Sequence, residues 1–430
     1  MFFLRAPRTV NAMNRAANDS TRLSKRSPSG LHIATSDRIA QLDAAVWSAA
    51  THGASWFFSR GYLSMLEGVL PAAIEPRYAL IGNASGPLAA VVLQWAQLEG
   101  RNLRPRAAPK DDGGDDEEAS PLRRLFGAVA RRGADALARQ VHERVLVCGN
   151  LLTYGQHAVA LAPGADATLA WSGVAEVIYR MRRAEKLAGQ PGFVVVKDVP
   201  ADATEGPALL SRVGYREADT EPNMVLALDP KWKHHGDYLA SLASKYRGNV
   251  KNRVLAPIEA AGLSLRRFEP DADLGARMHA LYLQVHERAA LRPFTLHAGY
   301  FIALARAAGP RLRCAGLFAG DDTLLGFICT LDDGVHALAY HIGFDRAAAK
   351  EHPLYLRLLH ASIEDAIAMG ARELSLGRTA LEPKSRLGAK AQPTAVWVRH
   401  RQPVMNRLVQ PLLGLAHPDE APEVHPFKAS

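Results

Sequence analysis

The strongest constraint on this chain is that its second half repeats the element order of its first. Along residues 37–228, two amphipathic stretches, DRIAQLDAAVWSAA and RGYLSMLEGVL, precede RYALIGNASGPLAAVVLQWAQL, two β-rich runs joined by Asn83 to Pro87. A strand (RVLVCG), a helix ending at glycine (LAWSGVAEVIYRMRRAEKLAG), a buried strand (GFVVVKDV), a short helix and the strand NMVLALD follow. Along residues 236–400 the order returns. A long basic helix that breaks before Pro257 leads to the strand LSLRRFE, two helices, and a hairpin turning at Gly320-Asp321-Asp322. Then come the strand HALAYHIGF, a helix with Leu359, Ile363, Ala366, Ile367 and Gly370 on one stripe, and the strands ELSLG and TAVWVRH. Two copies of helix-helix-hairpin-strand-helix-strand-strand predict a tandem duplication of one α+β unit, each unit a mixed sheet flanked by helices.

Length agrees, because 430 residues exceed what one ordinary core organises. The expected division is a disordered basic tail at 1–30, an N-terminal unit at 31–230, a C-terminal unit at 231–415 and a loose tail at 416–430. An acidic, glycine-containing loop at 106–120 interrupts the first unit, and an arginine-rich helix follows from Pro121. The opening apolar run ends at Arg5, too soon for a secretory signal, and no segment has the ~20 continuous apolar residues of a membrane span. The segment NRLVQPLLGLAHP is expected to pack on the second unit, with Pro411 cutting its helix short.

The net charge of +9 favours anionic partners without choosing among them. Cys148, Cys314 and Cys329 are far apart in apolar, strand-like runs, which predicts buried thiols rather than a metal site. The 16 histidines include no HExxH pattern, and no metal ligand set is expected.

The stretch SLGRTALEPKSRLGAK, residues 375–390, superficially resembles a phosphate-binding loop. GxxxxGK[ST] needs glycine before its lysine, so that successive N–H groups wrap the phosphates. Here Pro383, which has no N–H, precedes Lys384. A backbone cradle for a nucleoside triphosphate is excluded. Arg378, Lys384, Arg386 and Lys390 remain as side-chain contacts for phosphate or carboxylate.

The order of elements in both halves resembles the GNAT acyltransferases, over roughly residues 35–410. The second half is similar to the Fem-like and CelD/BcsL-type members through Tyr355, Leu359, Ile363, Ala366-Ile367, Gly370, Lys384 and Gly388, and through Lys245, Arg247 and Lys251 of a basic helix. The resemblance implies transfer of an acyl or aminoacyl group from an activated donor to an amine. It places the chemistry where the strands at 336–344 and 372–377 lie parallel and part. Such chemistry needs a proton acceptor and oxyanion stabilisation. His341, Tyr340, Glu373 and Ser375 are the candidates there, with Tyr340 expected on the opposite face from His341 by strand alternation. Arg378, Lys384, Arg386, Lys390, Lys245 and Arg247 are the candidate donor or substrate contacts.

The segment DRAAAKEHP stands where coenzyme-A-dependent members carry a glycine-rich loop, and it has no glycine. Acyl-CoA, acyl carrier protein and aminoacyl-tRNA therefore all stay open as donor substrates, with no tightly bound cofactor expected. The acceptor is a small molecule or a cell-wall precursor, and the expected location is cytoplasmic or peripheral at the inner membrane face. A tRNA-dependent transferase of the bacterial cell envelope and a non-catalytic polysaccharide assembly or recognition module are the alternatives. In each case the first half would be structural or would shape an acceptor groove between the halves.

Overall fold

The computed structural model describes residues 29–99, 142–184, 191–200, 206–288, 294–414 and 421–428. The acidic loop at 106–120, the arginine-rich helix after it and most of the basic N-terminal tail lie outside the described residues. The first half supplies β1 His32–Ser36, β2 Ile74–Asn83, β3 Gly86–Glu99, β4 His142–Cys148, β5 Val159–Leu161, β6 Phe193–Pro200 and β7 Arg216–Ala227. The second supplies β8 Ser264–Phe268, β9 Leu312–Phe318, β10 Leu324–Asp332, β11 Ala337–Phe344, β12 Glu373–Ser375 and β13 Lys390–His400.

These strands form one sheet in the order β1-β2-β3-β4-β6-β13-β7-β12-β11-β10-β9-β8, with β5 paired to β3. The duplication is therefore real but not separable. β13, the last strand of the second half, inserts between β6 and β7, and β7, the last strand of the first half, pairs with β12. Each half completes the other's sheet.

Both hairpins turn where the sequence places them. Asn83 Oδ1 accepts from the Ser85 N–H at 2.9 Å, and Asp321 Oδ1 accepts from Thr323 N–H at 3.1 Å. The long basic helix departs from expectation. It breaks at Leu242-Ala243, where Leu242 bridges to Phe427 and the Ala243 N–H reaches Pro426 O, and not before Pro257. Between Lys251 and Leu255 it takes a π turn, in which the Ala256 N–H returns to Lys251 O, so the chain passes Pro257 without ending. Residues 421–428, expected to be loose, are held by Phe427 against Trp232 and Tyr238.

Apolar alternation along the strands sends side chains to two faces. On one face, Trp47, Phe57, Tyr62 and Leu66 of the first half share a core with Met278, Leu281, Tyr300 and Phe301 of the second. On the other, helix Ala167–Ala184 covers the first half through Trp171, Val174 and Ile178. Helix Leu354–Ala368 covers the second half through Leu358, Leu359 and Ile363. The helix Pro403–Gly414 packs on β13 of the second half, as expected of that segment, but also on β7 of the first, and it runs through Pro411 instead of being cut short there. The core shared across the halves and the exchanged strands fix a cleft where the halves meet.

Candidate active site in the cleft between the halves

Each half contains one parallel strand pair. β4 and β6 pair from Val145↔Phe193 to Cys148↔Val196. β11 and β12 pair only at Ala337↔Leu374 and Leu338↔Ser375, after which β11 runs on to Phe344 without a ladder partner on that side. The strands at 336–344 and 372–377 are thus adjacent, parallel and splayed. Because β6 and β12 run in opposite directions on either side of β13 and β7, their C-terminal ends converge.

Where they converge there is an open cleft of ≈ 1020 Å³. The second half lines it with Asp333, His336, Leu338, Ser375, Arg378 and Thr394, and the first half with Ser55, Tyr154, His157, Asp198, Asn223 and Val225. Asp198 sits at the end of β6 with φ 56°, and Gly377, Thr379 and Ala380 follow β12 at φ 74°, 62° and 47°. These left-handed turns aim the two strand ends at one another. Arg378 pairs with the buried Asp198 across the halves and donates to Thr394 Oγ1 at 3.1 Å. Asp198 also accepts from the Gly155 N–H at 3.1 Å and pairs with Lys197. Burial alone would raise its carboxyl, but Lys197 and Arg378 hold it below the ordinary value.

A second carboxylate, Asp333, ties the other wall. Its Oδ1 accepts from the Val335 and His336 N–H groups at 2.8 and 2.7 Å, and its Oδ2 from Ser55 Oγ at 2.8 Å. His157 Nε2 lies 3.8 Å from Oδ2. Burial would raise Asp333, yet His157 and these hydrogen bonds keep it low. Burial pushes His157 down despite Asp333, which favours the neutral imidazole. His336 is open to the cleft and its Nε2 stands 3.4 Å from Glu373 Oε2. Ser375 Oγ donates to Asn223 Oδ1 at 2.7 Å.

The residues singled out in the sequence fall into three groups. Ser375 and Arg378 line the cleft, and Glu373 reaches it through His336. His341 and Tyr340 stand behind it. A bulge pairs Thr330 with Ala339 and Cys329 with His341, leaving Tyr340 as an extra residue. Tyr340 is therefore not on the opposite face from His341, as alternation implied; their ring centroids are 4.1 Å apart. Tyr340 Oη lies 2.9 Å from Tyr300 Oη and 3.4 Å from Tyr62 Oη, His341 Nε2 lies 3.2 Å from Tyr300 Oη, and Asn150 Nδ2 donates to Tyr62 Oη at 2.9 Å. Burial pushes His341 down to about 3 and Tyr62 up to about 12, so this knot is neutral. It clamps the halves together and does not face the cleft.

Lys384 is buried, and its Nζ donates to the carbonyls of Gly377, at 3.2 Å, and Arg378, at 2.5 Å. It sits on helix Leu381–Arg386 and fastens the turn that carries Arg378, with burial lowering its ammonium to about 8. Arg386 is exposed and paired with Glu382 at 2.6 Å. Lys390 opens β13 in solvent, and Lys245 and Arg247 lie on helix Ser244–Val250, Lys245 exposed and Arg247 half-buried. Asp198, His157, Asp333 and His336 were not singled out. For Asp198 a signal existed, a Lys-Asp pair inside the otherwise apolar run FVVVKDV.

Among the described residues, no group of three or more His, Cys, Asp or Glu side chains could hold a metal ion, and no helix is long and apolar enough to cross a membrane. The segment DRAAAKEHP folds as a short helix, Ala348–Glu351, with the Ala347 and Ala348 N–H groups on Asp345 Oδ1.

Two α+β units thus share one sheet, each with a parallel strand pair, and both line one cleft. Residues 244–385, within the second half, match the family model described as acetyltransferase (GNAT) domain. Among solved structures, FemX aligns with a TM-score of 0.48 and 9% identity, covering 81% of this chain and 93% of its own. The L-PGS structure from Bacillus licheniformis aligns at 0.45 and 12% identity, covering 82% of this chain and 95% of its own. A tandem GNAT protein from the clavulanic acid biosynthesis pathway aligns at 0.48 and 11% identity, covering 87% and 99%. No curated protein sequence matches the chain.

Proposed function

We propose that the chain transfers an acyl or aminoacyl group from an activated donor to an amine held in the cleft between the halves. The observation that carries this reading is the convergence of the two strand ends on one open cleft, beside the splayed β11–β12 pair. His336 takes the proton from the attacking ammonium, and Glu373, 3.4 Å from its ring, orients it and stabilises the imidazolium. Ser375 stands on the strand edge where the tetrahedral oxyanion forms, and it stabilises that oxyanion by turning its hydroxyl from Asn223 Oδ1 onto it. Arg378, half-buried and already paired with Asp198, presents its remaining donors to a carboxylate or phosphate of either substrate. His341 and Tyr340 act as positioning residues that hold the halves, and Lys384 as one that holds the Arg378 turn.

The donor is an acyl-CoA, an acyl carrier protein or an aminoacyl-tRNA. The exposed Lys245, Lys251 and Arg253 favour the tRNA-dependent form of this reading, because they gather positive charge on one helix. A cell-wall precursor is then the acceptor, with the enzyme working in the cytoplasm or at the inner membrane face. The test is a melting-temperature and turnover screen of the full chain against all three donors. At least one donor is expected to raise the melting temperature and to acylate an amine. Failure of all three would leave the chain a non-catalytic recognition module. For charged tRNA, binding should weaken steeply with salt and weaken again in Lys251→Ala.

A further inference from the structure

Two buried carboxylates line the cleft, and they differ in their counter-charges. Asp198 has Lys197 and Arg378. Asp333 is as enclosed, yet among the described residues no Lys or Arg pairs with it. Hydrogen bonds from Ser55 Oγ and from the Val335 and His336 N–H groups support its charged form. They leave Oδ2 with a free lone pair, and Oδ2 faces the His157 ring across 3.8 Å.

That ring does not serve as the missing cation. His157 Nδ1 lies 3.0 Å from Thr153 Oγ1, whose own proton goes to Asn150 O at 3.3 Å, so Nδ1 carries the hydrogen and Nε2 presents a lone pair. Burial pushes the imidazole toward its neutral form. Phe57 packs on the ring with centroids 4.4 Å apart, and a Cβ on Gly155 would fall 3.2 Å from its Cε1, so the ring is held in this orientation. The distance from Nε2 to Oδ2 exceeds a hydrogen bond. Two buried acceptors, one of them charged, thus face each other at the wall of the cleft. Such a pair is costly unless a donor comes between its members.

We propose that Asp333 Oδ2 and His157 Nε2 form a recognition site for a primary ammonium group, which gives one N–H to each. A nitrogen about 2.8 Å from both atoms bridges them from the cleft side, and its charge answers the carboxylate. A metal ion suits the place less well, because among the described residues no third His, Cys, Asp or Glu side chain completes a ligand set. Asp333 comes from the second half and His157 from the first, so the site exists only where the halves meet. The assignment rests on the acyltransferase reading for its meaning: the ammonium is that of the acceptor as it arrives, before His336 takes its proton.

The test is nuclear magnetic resonance of the full chain with nitrogen-labelled histidine, titrated with n-butylammonium chloride and with n-butanol as the neutral counterpart. The His157 signal is assigned by its loss in His157→Gln. It should show the Nδ1–H tautomer, and its Nε2 resonance should move saturably with butylammonium but not with butanol at equal concentration. Asp333→Asn, whose amide can itself donate to Nε2, should weaken the binding about tenfold or more. Should circular dichroism show that this variant does not fold, His157→Phe, which keeps a ring but no acceptor, should give a comparable loss, read from the signals of the amine. Equal responses to amine and alcohol, no response to either, or undiminished binding in the variants overturns the proposal. Absence of turnover with every donor would instead sink the transferase reading while the ammonium site still stands.

Discussion

The two halves close their parallel strand gaps by different means. In the first, closure is internal: Lys197, on β6 itself, donates from Nζ to Asn150 O at 3.1 Å and Thr153 O at 2.8 Å across the gap. Its stem lies so close to Gly149 that a Cβ there would fall 2.3 Å from Cγ, which demands glycine at φ 136°. In the second, the gap is filled by Tyr154 from the other half. Both devices involve one segment, Gly149–His157, whose carbonyls receive Lys197 and whose phenol enters the second gap. The first half has thus given up its opening to build the wall of the other's cleft. Among the described residues, both halves thus line the same cleft.

That contrast can be broken at its charged hinge. Asp198→Ala should have the largest effect, because it leaves Lys197 and Arg378 facing each other without the buried carboxylate that joins them. A loss of about 3–5 kcal/mol in denaturant unfolding is expected. The sign with pH follows from the lowered carboxyl: its stabilisation is complete above the unfolded value of about 3.9 and disappears as pH falls through the depressed folded value. Asp198→Ala should abolish that acid limb.

Lys384 sharpens the same contrast from the second half. Its ammonium is lowered to about 8, so between that value and the unfolded one the unfolded chain binds more protons. Stability should therefore rise with pH from about 8 to about 10, by on the order of 3 kcal/mol, and the rise should flatten in Lys384→Met. A flat profile in the unmodified protein would show that Lys384 is not buried over its carbonyls.

Smaller effects separate the clamp from the surface. Tyr62→Phe removes the acceptor for Asn150 Nδ2 and should cost about 1–3 kcal/mol in thermal or denaturant unfolding. Arg386→Ala breaks only an exposed pair and should change stability by less than about 0.5 kcal/mol.

Much of this architecture was legible in the sequence, for a physical reason. Hairpins announce themselves through turn chemistry at Asn83 and Asp321, and the β11–helix–β12 unit through apolar runs and the stripe on helix Leu354–Ala368. The strand exchange was not legible, since TAVWVRH reads as a buried strand whichever neighbour it pairs with. The bulge at Tyr340 also leaves no trace in an alternating pattern, so its face was misjudged. Lys384 was read as an anion contact because it follows a glycine-bearing strand end. The short helix Leu381–Arg386 instead turns its ammonium onto the preceding carbonyls. Of the site, Ser375 and Arg378 came from their place at the strand end. His157 could not, because only the meeting of the two halves sets it beside Asp333, while Asp333 and His336 belong to a short turn between β10 and β11 with no motif around it.

The central claim is that amine acylation occurs in the shared cleft, with His336 as proton acceptor. The most direct measurement is kcat and KM for acyl transfer to an amine, with the donor found by screening, in the unmodified chain and in His336→Ala. A fall in kcat of roughly 10²–10⁴-fold with little change in KM is predicted. Equal kcat in the two proteins would contradict the account.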